Sequence, residues 1–418
     1  MIISICLSAY LKISLLFISG VLLCFLIYAL ENQEATGIYS GRLKKYFYLS
    51  VLVTLGAKSL FLMKDIFQHH DSIHESLKKS VTLYKVCSVS ASYQSFGFIR
   101  RGLIPTLVTG LSSDYIFQIY AVQLLGLIIF ITALAAIIRK KNLFGLNRNI
   151  YAIVLLLSPI GIFSYFNFNL GFTDMILVGL LLISISFSGN WFSFIVDITG
   201  MLIHEAFLFI RLPFLILQLF INLKDKKPYQ STLAQIFINL GFFIIIILSP
   251  RPEMDALKSN YFTRYPMLVT QTTPGDMEAF IPLSKEGTLR SNFHVILQFY
   301  KTDKALSLAI PILISVTLIV VAGFFSNTLT GKNRALDVFA AAFIFIFPLM
   351  LSAVGGDFGR WLGFSFVCWA TYYYLFRSVL FPKAEISYKY AYAVLVTALI
   401  FSPFGINYHP LFYKLLGY

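Results

Sequence analysis

The sequence predicts an all-α polytopic membrane protein with about twelve transmembrane helices, and three observations predict it. Of 418 residues, 58% are hydrophobic and 12% are charged, whereas ordinary soluble domains carry roughly 25% charge. So few charges cannot cover the surfaces of soluble domains. Apolar runs of the right length recur along the chain, since about 20 residues at 1.5 Å rise cross a roughly 30 Å hydrocarbon layer. Lys and Arg gather in the short segments between those runs, as they do in cytoplasmic loops. A soluble globular enzyme, a disordered scaffold and a disulfide-built secreted module are thereby excluded. The formal charge of +14 reads as basic cytoplasmic loops and implies no nucleic-acid partner. Cys6, Cys24, Cys87 and Cys368 form no CxxC pair, so neither a disulfide framework nor a zinc site is expected.

The run length places helices near 9–30, 46–63, 115–138, 150–166, 172–188, 232–249, 306–325, 336–353, 361–380 and 389–406. The N-terminal run lacks a basic n-region and a small-x-small site, and is read as a retained first span. The stretch 191–221 is too long for one straight span and too short for two full ones. Orientation decides it. Basic loops carry Arg42, Lys44 and Lys45; Arg139, Lys140, Lys141 and Arg148; Lys224, Lys226 and Lys227; Lys332 and Arg334; and Arg377, Lys383 and Lys389. All five face the cytoplasm only if 191–221 goes out and returns. It is expected to be a short broken hairpin reversing near 205–210, with Pro213 or His204-Glu205 as the break.

The whole chain, 1–418, is then a single membrane domain. Two long loops fall on the outer side, 64–114 and 250–305. The first carries SFGFIRRGLIPTL, a basic turn between apolar residues that suits an amphipathic interfacial segment. The second is polar and rich in proline and threonine, as expected of a structured cap.

Ionisable groups within or beside apolar spans are costly, so each is a functional candidate. Asp174 opens a helix, where it serves either the helix dipole or a site. His204-Glu205 sits inside a strongly apolar stretch, with Asp197 on roughly the same helix face. Residue 208 is Leu, which excludes HExxH zinc binding. The pair is either an interhelical polar contact or a carboxylate–imidazole couple that takes a proton from a nucleophile. Asp357 and Arg360, at i and i+3 in GGDFGRW, either pair with each other or present a carboxylate base and a planar phosphate fork. Trp361 is an interface anchor or a sugar-stacking platform. Arg100-Arg101 meets lipid headgroups or clamps a diphosphate. Asp65, His69, His70, Asp71, His74 and Glu75 read as a solvated polar face, and no metal is expected there.

No nucleotide cradle of the GxxxxGK[ST] or GxGxxG kind is present, and no GxSxG elbow. No cofactor is expected, and an enzyme of this design needs an activated substrate already in the membrane.

SPIGIFSYFNFNLGFTD on the outer side, followed by an apolar hairpin and a basic loop, resembles the GT-C class of membrane glycosyltransferases. The long outer loop, the phenylalanine content and the size resemble bacterial O-antigen or capsular polysaccharide repeat-unit polymerases. That resemblance implies a multi-pass protein of the bacterial inner membrane. It implies polyprenyl-diphosphate-linked glycans as substrate, at the periplasmic face, with membrane lipid, a chain-length regulator and other assembly proteins as partners. On it, Glu205, His204, Asp357 and Asp174 are the catalytic candidates, and Arg100, Arg101, Arg360 and Trp361 the substrate-binding ones. The alternative is a flippase for lipid-linked oligosaccharide, which also needs many spans and buried charge.

Overall fold

The computed structural model describes residues 83–140, 173–270, 272, 274–285, 287, 331–353 and 358–381. Every element among them is helical. Three of these helices are long and apolar enough to cross a membrane. The spans expected at 9–30, 46–63, 150–166, 306–325 and 389–406, with Asp65, the His69–Glu75 cluster and Asp357, lie outside the described residues.

Helix α1 (Leu83–Ser90), α2 (Tyr93–Phe96) and α3 (Leu103–Leu111) precede the long α4 (Tyr115–Lys140). Helix α5 (Asp174–Ser186) is apolar on every side and buried along nearly its whole length, the pattern of a helix surrounded by others. It packs along α4. Gly179 permits this: a Cβ there would meet the Ile129 side chain at 2.7 Å and the Phe130 backbone nitrogen at 3.0 Å.

The segment 191–221 divides as α6 (Trp191–Ile203) and α7 (Phe207–Lys224). Asn190 caps α6 by accepting the Phe192 N–H, and His204 N–H closes the helix on Gly200 O at 2.9 Å. His204 is extended, with φ −160° and ψ 125°. Three successive N–H groups, of Phe207, Leu208 and Phe209, then reach back to His204, Glu205 and Ala206 carbonyls. The chain doubles back here. Asp197 and Arg211, each seven residues from His204, hydrogen-bond at 3.0 Å; a straight helix would hold them about 21 Å apart. A Cβ on Gly200 would lie 2.5 Å from the Phe207 ring, so the close crossing requires glycine. The reversal falls at His204–Ala206. Pro213, the other expected break, lies inside α7, where a missing N–H is tolerated among neighbouring helices.

Helix α8 (Gln230–Leu248) packs on α6 and α7 and leaves Phe237, Ile238, Ile244, Ile245 and Leu248 exposed. Helix α9 (Met254–Arg264), the 3₁₀ turn Pro266–Leu268, α10 (Pro274–Met277) and the 3₁₀ turn Glu278–Leu283 follow. They fold against α1. Arg264 Nη2 donates to Thr109 O at 3.1 Å and Tyr265 Oη to Gln118 Oε1 at 2.6 Å. The described parts of 83–118 and 250–285 are thus packed together. Helix α11 (Gly331–Leu349) contacts α7 and α12 (Phe358–Thr371). Helix α12 runs through a π turn, Tyr372–Phe376, into α13 (Arg377–Leu380).

Candidate functional site

Glu205, at the tip of the hairpin, is the centre of a charged cluster. Arg100 Nη2 donates to its Oε1. Arg101 forks onto it, Nε to Oε2 at 3.0 Å and Nη2 to Oε1 at 2.5 Å. The turn that delivers both guanidinium groups is tightly built. Arg101 adopts φ 61°, a left-handed conformation that costs a non-glycine residue on the order of 1–3 kcal/mol and concentrates at functional sites. Gly102 lets the turn close on Tyr93, because a Cβ there would overlap the Tyr93 ring at 2.2 Å. Thr106 Oγ1 donates to Gly102 O at 2.6 Å and accepts the Tyr93 N–H at 2.7 Å, joining the two short helices that flank the turn.

A third cation stands nearby. Arg251 follows α8 directly and donates to Gly287 O at 2.6 Å; it has no carboxylate partner among the described residues. Burial first, and then the positive charge of Arg100, draws its guanidinium below the ordinary arginine value. Arg100 behaves oppositely. Burial opposes its charge, but Glu205 more than offsets that and holds it above the ordinary value. Two guanidinium groups therefore grip one carboxylate, a third lies close enough to feel its charge, and the cluster carries excess positive charge. Arg100 Nε is buried without a partner among the described residues, although such a donor normally finds one.

His204 stands beside Glu205 without being its proton partner. Its Nδ1 accepts the Ala206 N–H at 3.1 Å and lies 3.6 Å from Glu205 Oε2, beyond hydrogen-bond reach. With Nδ1 an acceptor, a neutral imidazole carries its proton on Nε2. The ring meets Trp361 edge-on at 6.3 Å. Trp361 is buried between His204, Phe364 stacked at 6.1 Å, and the Arg360 guanidinium 5.3 Å from its ring centre. It is a packing wedge here rather than an exposed anchor or an open platform.

Arg360 forks onto Asp174, Nε to Oδ2 at 2.9 Å and Nη2 to Oδ1 at 2.5 Å. Asp174 is fully buried and Arg360 nearly so. The first turn of α5 and the first turn of α12 are thereby tied together. One continuous chain of contacts runs from Arg100 and Arg101 through Glu205, His204, Trp361 and Arg360 to Asp174. Seven of the eight candidates named from the sequence belong to it; the eighth, Asp357, lies outside the described residues.

Arg251 was not among the candidates, although its place at the end of an apolar run marks it. Arg211 was not named either. It pairs with Asp197, which also accepts from Ser184 at 2.5 Å, Gln235 at 2.6 Å and Asn239 at 2.9 Å. Asp197 was expected on the helix face of His204, but α6 ends at Ile203 and His204 is extended beyond it, so Asp197 joins this separate cluster halfway along the hairpin. A charged residue in each arm, equally far from the turn, was the available signal. The cluster of Asp337 with Tyr372 and Arg377, both donating at 2.8 Å, was also missed.

The arrangement can bind an anion electrostatically at Arg100, Arg101 and Arg251, and it holds a carboxylate at that same point. The chain matches no protein-family model, no curated protein and no solved structure in comparisons with all three.

Proposed function

We propose that the chain is a multi-pass glycosyltransferase of the bacterial inner membrane, with about twelve spans. It joins polyprenyl-diphosphate-linked sugar units at the outer face and most resembles a polysaccharide repeat-unit polymerase. The observation that carries this reading is the excess of guanidinium over carboxylate around Glu205, at the turn of an apolar hairpin. Buried charge in a lipid-facing chain is retained for function, and convergent arginines favour phosphate oxygens.

In the proposed reaction the acceptor hydroxyl gives its proton to a carboxylate as its oxygen attacks the anomeric carbon. The anomeric bond to the diphosphate oxygen breaks, and the electron pair leaves with the diphosphate. Arg100, Arg101 and Arg251 stabilise that developing charge. Glu205 is the carboxylate nearest those cations, and Asp357 remains a candidate for the same role. Arg360 and Asp174 hold each other, so their part is to fix the geometry of His204 and Trp361.

The flippase reading draws on a different observation, the Asp197–Arg211 pair buried halfway along the hairpin. Glycan display by cells lacking the protein separates the two. A polymerase deletion leaves single repeat units at the surface and removes the long-chain ladder. A flippase deletion removes both, and that result would overturn the polymerase reading.

A further inference from the structure

We propose that Glu205 is an internal stand-in for a substrate diphosphate: an incoming diphosphate displaces it from Arg100 and Arg101, and the released carboxylate then serves as the base. This rests on the reading of the site given above. Arg101 spends its planar fork, and Arg100 one Nη2 donor, on the same carboxylate, and guanidinium groups fit phosphate oxygens equally well. Glu205 supplies one negative charge to a cluster with three guanidinium groups, so a diphosphate with two or more charges satisfies the cluster better. Arg100 Nε, buried and without a partner among the described residues, offers a donor that Glu205 does not use. Arg101 has 28% of its side chain exposed against 8% for Glu205, so the arriving anion meets the arginine before the carboxylate. Its left-handed backbone is a cost that the surrounding turn must over-determine.

The exchange has a chemical consequence. A carboxylate gripped by two guanidinium groups is a weak base, because each positive neighbour favours its ionised form. Once the diphosphate takes those neighbours, Glu205 regains basicity beside the reacting centre. It can then accept the acceptor hydroxyl proton as the sugar transfers and the diphosphate leaves. Binding of the donor thus switches on the base, and an empty site stays inactive.

The test is titration of purified full-length protein in detergent with inorganic diphosphate, followed by calorimetry. A ligand competing with an internal occupant binds in proportion to the unoccupied fraction of the site. Removing the occupant's charge in Glu205→Gln should therefore tighten binding by about tenfold or more, and Glu205→Ala should do the same. The Arg100→Ala/Arg101→Ala double variant should bind none. Cells carrying Glu205→Gln should nevertheless lose the long glycan ladder, so affinity and activity move in opposite directions. Wild type that binds diphosphate while both Glu205 variants bind it equally or more weakly would overturn the stand-in and leave the proposed function standing. Absence of binding in wild type and every variant would overturn both. A Glu205→Gln strain with a full ladder would remove Glu205 as the base.

Discussion

The hairpin holds two carboxylate–guanidinium clusters a few residues apart, and they are built on opposite plans. Asp197 lies fully buried, pairs with one arginine, and takes its remaining hydrogen bonds from the neutral groups of Ser184, Gln235 and Asn239. Its charge is balanced one for one, and its partners come from α5, α7 and α8. Glu205 is gripped by two arginines with a third nearby, and part of that shell is exposed. The first cluster closes four helices around themselves. The second keeps positive charge in reserve. A balanced buried pair fixes geometry, because removing either partner strands a charge. An unbalanced, partly exposed one is positioned to receive a further anion.

The largest effect should follow from breaking the balanced cluster. Asp197→Ala leaves Arg211 buried and unpaired, which costs about 3–5 kcal/mol and should sharply lower the thermal unfolding temperature of purified protein. Asp197→Ala/Arg211→Leu should be less destabilised than Asp197→Ala alone, since no charge is then stranded. A double variant as unstable as the sum of the two single ones would show that the pair is not coupled. Gly200→Leu comes next. Its side chain must displace the Phe207 ring, at about 1–3 kcal/mol for overpacking, and the same unfolding measurement checks it. Gln235→Leu removes one of four donors to Asp197 and should cost about 1 kcal/mol. The smallest effect on stability belongs to Arg101→Ala, within about 1 kcal/mol, yet this variant should shorten the glycan ladder to single units. A stable Arg101→Ala protein with a normal ladder would erase the contrast between the clusters.

The broken hairpin was legible because charge in the flanking loops demanded an even number of crossings and 191–221 was too short for two full spans. Which of two breaks would be used was not legible. Pro213 is the stronger helix breaker by propensity, but α7 absorbs it, and the turn falls where Gly200 permits Phe207 to cross. Arg100, Arg101, Glu205 and Arg360 were legible as charges in apolar surroundings. Their pairing was not. Arg360 is three residues from Asp357 in sequence, while its fork reaches Asp174 across 186 positions. Sequence spacing reports neighbours on one helix and is silent about helix ends meeting in space. The π turn at Tyr372–Phe376 was equally hidden. It brings Tyr372 and Arg377, five residues apart, onto the same carboxylate of Asp337, a spacing that the α-helical period does not align.

On the proposed function, the open cluster faces the outside while the opposite end of the hairpin faces the cytoplasm. Thiol labelling of intact cells with a membrane-impermeant reagent measures this directly, in a background with Cys6, Cys24, Cys87 and Cys368 replaced. Arg101→Cys, beside the hairpin turn, should label from outside. Lys226→Cys, exposed beyond the end of α7, should label only after the membrane is opened. Labelling of Lys226→Cys in intact cells, with Arg101→Cys protected until the membrane is opened, would contradict the account.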